Sequence, residues 1–450
     1  MMKLLILLIV FVSLAACSSP PVMVEEKFTP DESVQEYRRS LEGVNLHTTA
    51  MGIQWLRWSD PTRYVPMLSI LPFSEIRHFD AEVPEGAYYL FEAIRGHRVT
   101  ITLDSGEGLS YFADLFGVQG TFDPENPPET LQLDQLASAH FVETDSRVRQ
   151  GKSTIVFEPR NTRFFVLRIL PRLLEGGKIQ IQVENQAIAQ VWPVENTTER
   201  QIWSHFGDPR DGGARVHHGV DIFAPRGTPI FAPVAGRITR VGERELGGLS
   251  VSMMDDERSI SFYFAHLNSY GDVRAGQQVE AGHIIGTVGN TGNAITTPPH
   301  LHLGIYDRGW GGAVDPWYFL VPVSYEDYRT PDEVLDAWQQ LSPDLVLGER
   351  FSLESGNLEL FRQISGFNPV VPSLARRDRA GRVLTREDFP IFELDWNHGI
   401  VPELHERPVH LRLVALRSNA LGFRLPDGTL AWTEKTESAL ALLQAFVVST

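Results

Sequence analysis

The chain has 450 residues, and its 57 acidic against 40 basic residues leave a formal net charge of −17. That length has room for about three domains, and the acidic balance argues against nucleic-acid binding. Cys17 is the single cysteine, so disulfides are excluded and the one thiol of an exported chain needs another reason.

That reason lies at the N-terminus, where Met1-Met2-Lys3 is a short basic start, Leu4 to Leu14 is apolar, and Leu14-Ala15-Ala16-Cys17 closes the run with small residues. Eleven residues are too few to span a bilayer, which takes roughly 20, so residues 1–17 read as a cleaved export signal. LAAC resembles the bacterial lipobox, whose cysteine becomes the lipidated N-terminus of the mature protein. The resemblance implies lipidation at Cys17 and membrane attachment through that lipid. Ser18, where an Asp would direct inner-membrane retention, points to the outer membrane facing the periplasm. The plain alternative is a secretory signal with an incidental cysteine. Residues 18–46 are polar, acidic and Pro-bearing, a composition expected of a disordered tether.

Over residues 47–190, short alternating runs (YYLFEAI, RVTITL, STIVFE, FFVLRIL and KIQIQVE) are separated by Gly, Pro, Asp and Asn, which predicts an antiparallel β-sandwich. Nothing in it suggests catalysis. A spacer, a glycan-binding module or a gate over a neighbouring groove all remain open. Asn196-Thr197-Thr198 has the form of a glycosylation acceptor, but in a bacterial chain it reads as a plain linker.

Residues 195–320 carry the chemistry. Seven of the 14 histidines fall between His205 and His302, under a quarter of the chain, and histidine both ligates zinc and moves protons near neutral pH. His300 and His302 sit two apart in HLHLGIY, an alternating run that reads as a strand with both imidazoles on one face. H-x-H alone is weak evidence. His217 and Asp221 strengthen it, because H-x-x-x-D beside Gly219 lets one loop-to-strand turn offer a nitrogen and an oxygen to one ion. Catalytic zinc takes about three protein ligands and leaves a position for water, a quota that His217, Asp221 and His302 would fill. His205, His218 and His283 lack partners at metal spacing and read as structural or solvated.

Three motifs in order, HHGVDIFAPRGTPIFAPVAGRI, SFYFAHL and GTVGNTGNAITTPPHLHLGIY, make the segment from about Trp203 to Leu320 resemble the lysostaphin-type zinc metallopeptidases of bacterial peptidoglycan. The resemblance implies Zn2+ on His217, Asp221 and His302, with His266 and His300 as the catalytic pair. It implies a duplicated-hybrid-motif β-sandwich with the metal at the floor of a groove, since RGTPIFAPVAGRITRVG and AGQQVEAGHIIGTVG share a tempo of short β runs broken at glycines. Tyr306, Trp310 and the loop Asn290 to Thr297 are candidates for its walls, although packing suits the aromatics as well. One departure stands out: the family commonly has Tyr two residues before its upstream catalytic His, where this chain has Phe264, with Tyr263 one place earlier.

Residues 321–450 read as a helix followed by a small mixed, β-rich module. Thr330 as N-cap, Pro331 and Glu333 form a capping box, and VHLRLVAL with ALGFRLPDGTLAWTE suggests strands around a PDG turn, faintly resembling bacterial SH3-like wall-binding modules. The whole is therefore mainly β. The expected function is that of a lipid-anchored zinc endopeptidase acting on peptide cross-links or stem peptides of peptidoglycan. Peptidoglycan stems carry carboxylates, so the acidic surface does not help to capture them. The alternatives are a catalytically silent regulator that activates a cell-wall amidase, and a wall-anchoring lipoprotein led by its β modules. Degenerate relatives usually lose at least one of the five positions, and this chain keeps all five.

Overall fold

The computed structural model describes residues 33–61, 67–106, 109–120, 132–141, 152–307, 311–321, 328–341, 346–348, 350–353, 409–418, 420–424 and 430–433, with short strand pieces at 23–24, 376–377 and 383–384. Cys17, Trp310 and most of the expected C-terminal module lie outside the described residues. Among the described residues no helix is long and apolar enough to cross a membrane.

The N-terminal part is the expected sandwich. One sheet has the strand order Met67–Leu68, Ala87–Ala93, Arg163–Pro171, Tyr111–Val118, Leu133–Phe141, and the other runs through Lys152–Glu158, His97–Asp104, Gly177–Ala187 and Phe73–Phe79. His97–Asp104 alternates buried and half-buried residues along its length, the signature of a strand with one face in a core. Tyr89, Phe91 and Phe165 from the first sheet meet Ile101, Phe157 and Ile181 from the second in one buried cluster.

Tyr111–Val118 is buried on both faces, and the cause corrects the tether expected to run to residue 46. Ser33–Gly43 is an α-helix, followed by Ala50–Trp58. Val34, Leu41 and Trp55 bury against Phe112, Leu170 and Leu173 on the outer face of that sheet. The Trp55 indole donates to the Pro171 carbonyl at 2.8 Å, and the Tyr37 hydroxyl accepts from the Leu173 amide at 3.2 Å. Val34, Tyr37 and Leu41 form a narrow stripe at helical spacing, and only the packing surface under it makes the segment fold.

The C-terminal strands correct a second expectation, that residues 321–450 stand apart. Val409–Arg417 pairs with Phe73–Phe79, with Ala415 opposite Arg77 and Leu416 opposite Ile76, and Ala420–Arg424 and Leu430–Trp432 extend the same sheet. The helix Pro331–Leu341 carries the predicted capping box: the Thr330 amide donates to Glu333 Oε2 at 2.7 Å and the Glu333 amide to Thr330 Oγ1 at 3.4 Å. Its Trp338 indole donates to the Arg417 carbonyl at 2.7 Å, locking helix to strand. The described C-terminal strands complete the sandwich and do not form an SH3-like unit of their own.

The second domain is one antiparallel sheet in the order Ile202–Ser204, Val220–Phe223, His300–Asp307, Ile260–Tyr270, Gly248–Asp255, Gly236–Arg244, Gln278–Val279. Pro229–Phe231 and Ile284–Val288 pair with each other, the latter also with Ile260–Tyr270. Leu301, Leu303 and Ile305 enter the core with Phe262, Phe264 and Val220, which turns His300, His302 and Gly304 to the opposite face. The two domains dock at the far end of the His300–Asp307 strand. There Arg258 clasps Glu158 at 2.6 and 2.9 Å and Arg95 meets Asp307 at 3.1 Å. Five residue steps at about 3.4 Å each put that contact roughly 17 Å along the strand from His302.

Candidate metal centre and its flanking histidines

Strand register assembles half of the site. Asp221 lies directly opposite His302 and Phe223 opposite His300, and residues paired this way share a face. His217 enters from the preceding loop, where its amide donates to the Asp208 carbonyl and its carbonyl accepts from Gly207, both at 2.8 Å. Gly219 is required by close approach: a Cβ there would stand 2.5 Å from the Leu303 carbonyl and 2.7 Å from His302 Cε1.

The donor atoms form a nearly equilateral triangle. His217 Nε2 is 2.9 Å from His302 Nδ1, and each is 3.0 Å from Asp221 Oδ1. His217 Nδ1 lies 2.9 Å from the His205 carbonyl, which can only accept, so Nδ1 carries the proton and Nε2 presents a lone pair. Two imidazole nitrogens and a carboxylate oxygen therefore converge around a point that a cation satisfies. Zinc–nitrogen bonds of about 2.0–2.1 Å in a tetrahedron place ligands roughly 3.3 Å apart, so the triangle needs to open by only a few tenths of an ångström. Among the described residues this is the one cluster of such side chains close enough to hold an ion.

His266 and His300 complete the constellation, with ring centroids 5.1 Å apart and His266 5.9 Å from His302. His300 Nδ1 donates to the Pro298 carbonyl at 2.9 Å, and its Nε2 is 3.9 Å from Asp221 Oδ1. His266 Nδ1 donates to the Thr291 carbonyl at 2.8 Å. In both rings the accepting carbonyl fixes the proton on Nδ1 and leaves Nε2 as the basic atom. His266 has φ +61°, a left-handed conformation costing roughly 1–2 kcal/mol. It sits where the register with Gly248–Asp255 slips by a residue, and such a bulge re-aims a side chain.

Electrostatics follow from burial and these partners. Burial alone would raise the Asp221 pKa, but any proton shared within the triangle goes to His217 or His302, whose hydrogen bonds and charge then hold the carboxyl far below the usual carboxylate range. Burial, then the neighbouring His302 and His300, push His266 down to about 4 against the opposing Thr291 carbonyl. Burial also lowers His302, with Asp221 opposing.

Some contributors escaped sequence reasoning. Arg210 donates to the second oxygen of Asp221 at 2.7 Å and to Ser204 Oγ at 2.6 Å, so a guanidinium orients the carboxylate from outside the triangle. Asp208 accepts from the Ser204 hydroxyl at 3.1 Å and the His205 amide at 2.7 Å, holding the turn whose carbonyl grips His217. The carbonyls of His205, Thr291 and Pro298 have no side-chain signature. Arg210, seven residues before His217, offered only an ordinary surface-type residue.

The tyrosine departure resolves as a displacement. Phe264 is fully buried in the core, while Tyr263 lies opposite Gly304 on the histidine face, its ring 6.2 Å from His302. The loop Asn290 to Thr297 does adjoin the site: Asn290 donates to the carbonyls of Ile295 and Thr297 at 3.3 and 3.1 Å, and the next residue, Thr291, anchors His266. Tyr306 lies further along the same strand face, half-buried over Gly304. His205 contributes its carbonyl and packs its ring 5.5 Å from Trp317. His218 stacks on Phe206, and the backbone of His283 pairs with Ala232; neither joins the cluster.

Residues 215–316 match peptidase family M23, and this part of the chain belongs to that family. The L-Ala--D-Glu endopeptidase of Bacillus subtilis is 38% identical over 126 residues, which cover 26% of this chain and 38% of that protein. The DD-carboxypeptidase/endopeptidase Mpg of Neisseria meningitidis is 38% identical over 134 residues, covering 30% and 29% respectively. The catalytic domain of lysostaphin from Staphylococcus simulans is 33% identical across 26% of this chain and 89% of the solved one, with a TM-score of 0.24. The chain thus spans less than two fifths of the length of these curated relatives.

Proposed function

We propose that this protein is a zinc metalloendopeptidase that hydrolyses peptide cross-links or stem peptides of bacterial peptidoglycan, tethered to the cell envelope by a lipid on Cys17. The observation that carries the reading is the convergence of three acceptor atoms within 3.0 Å, flanked by two histidines whose Nε2 atoms are left basic. Zn2+ held by His217, Asp221 and His302 would supply a Lewis acid and a water of lowered pKa.

The chain's own residues do the rest. His300 Nε2, beside the ligand face, is poised to accept a proton from the attacking water, with the Pro298 carbonyl stabilising the imidazolium that forms. His266 Nε2 faces the same space; because burial disfavours its cation, a proton released by the attacking water and taken up there can hydrogen-bond the oxyanion only briefly and is readily passed on to the leaving amine. The two roles are interchangeable on this geometry, and the histidines act as a pair. Arg210 and the His205 carbonyl fix Asp221 and His217 in orientation, as outer partners of metal ligands commonly do. The net charge of −17 repels carboxylate-bearing stems, so affinity comes from the groove.

The L-Ala–D-Glu and DD-endopeptidase relatives support a wall substrate, and the lipobox-like start supports an outer-membrane address facing the periplasm, which makes a diaminopimelate cross-link the preferred bond. Cross-linked sacculi incubated with the protein from Ser18 onward, with and without chelator and beside His302→Ala, test this by muropeptide mass. Chelator-sensitive loss of cross-linked dimers is expected. Intact dimers with zinc-loaded protein would overturn the enzyme reading in favour of a regulator.

A further inference from the structure

One aromatic side chain beside the site stands largely open to solvent. Trp203 is 67% exposed, whereas every other tryptophan among the described residues is buried or half-buried. It sits on Ile202–Ser204, the edge strand next to Val220–Phe223. Its ring stacks on Phe223 at 4.7 Å and 19°, and Phe223 in turn lies 4.9 Å from His300 at 30°. The indole N–H donates to the Arg200 carbonyl at 3.2 Å. The ring is thus fixed in plane, its polar atom is satisfied, and its outer face is open, a preorganised apolar plate at the end of a ladder that begins at His300.

We infer that Trp203 is a sugar-stacking subsite, holding an N-acetylated pyranose of the glycan strand while the attached stem peptide runs past Phe223 to His300. This rests on the peptidoglycan reading. Stem peptides are built of small and carboxylate-bearing residues and offer an indole plate nothing flat, whereas a pyranose has a C–H face of matching size. The spacing adds a constraint. Ladder steps of 4.7 and 4.9 Å, plus one contact distance of about 4 Å, put the sugar no more than about 14 Å from His300. At 3.3–3.6 Å per extended residue that span takes up to about four residues, so the subsite can serve bonds beyond the first one after the sugar.

The test compares two substrates: cross-linked muropeptides carrying their disaccharides, and the same cross-linked peptides stripped of sugar. Trp203→Ala is expected to lower kcat/KM about tenfold on the sugar-bearing substrate, mainly through KM, and to leave the sugar-free one unchanged, while Trp203→Phe keeps most of the activity. Equal losses on both substrates, or no loss on either, would overturn the subsite. If the unaltered protein cleaves neither, the endopeptidase reading fails separately. Saturation-transfer NMR with the free disaccharide then decides the subsite: binding abolished by Trp203→Ala supports it, and no binding to the unaltered protein sinks it.

Discussion

The two domains bury ionisable groups in opposite ways. In the sandwich, Glu75 is fully buried yet surrounded by donors: Arg417 at 2.9 Å, the Tyr89 hydroxyl at 2.7 Å and Arg77 at 3.4 Å. Arg168 likewise closes on the buried Asp114. Charges there are matched, and the network joins the C-terminal strand to Phe73–Phe79. At the His217–Asp221–His302 triangle, by contrast, two imidazole nitrogens and a carboxylate oxygen face one another at 2.9–3.0 Å, with the Arg210 guanidinium on the outer oxygen. A matched network holds structure, and a converging set of nitrogen and carboxylate oxygen atoms fits a cation.

Substitutions sharpen that contrast. His300→Ala is expected to lower turnover of cross-linked muropeptides by about 10²–10⁴-fold without changing the melting temperature, a pairing readable from kinetics beside calorimetry; a large melting shift would make His300 structural. Glu75→Ala should do the reverse, destabilising the fold by roughly 3–5 kcal/mol because it strands buried cations, with activity per folded molecule preserved in denaturant titrations and assays. Arg210→Gln should fall between them, weakening zinc affinity about 10–100-fold in competition with a fluorescent chelator while the fold stays intact.

The smallest effect is a pH slope. His78, at the sandwich seam, is pushed down to about 4 by burial and by Arg412, Lys178 and Arg424. The unfolded chain takes up this proton near pH 6.5 and the folded chain only near 4. Its contribution is therefore complete above about 6.5 and lost as pH falls toward 4. His78→Gln should flatten the stability profile of the metal-free protein in that window, and an unchanged slope would remove His78 from the account.

The site was legible in sequence because its five residues sit in compact motifs, and alternation alone puts His300 and His302 on one face. The clamps were not: a carbonyl such as His205 or Thr291 belongs to every residue type, and Arg210 is placed by a turn. The left-handed His266 could not be read from FAHL, since the bulge arises from pairing with Gly248–Asp255. In the sandwich, the alternating strands were legible, but the helix Ser33–Gly43 hides three apolar positions in a polar segment. The strand Val409–Arg417 finds its partner more than 300 residues away, a distance at which local pattern carries no information.

Zinc stoichiometry tests the central claim most directly. Native mass spectrometry of the purified protein, beside His217→Ala, Asp221→Ala and His302→Ala, should find one tightly held zinc ion in the unaltered chain and none in the three variants, all of which remain folded. A folded, unaltered protein that takes up no zinc, or variants that each keep it, would contradict the account.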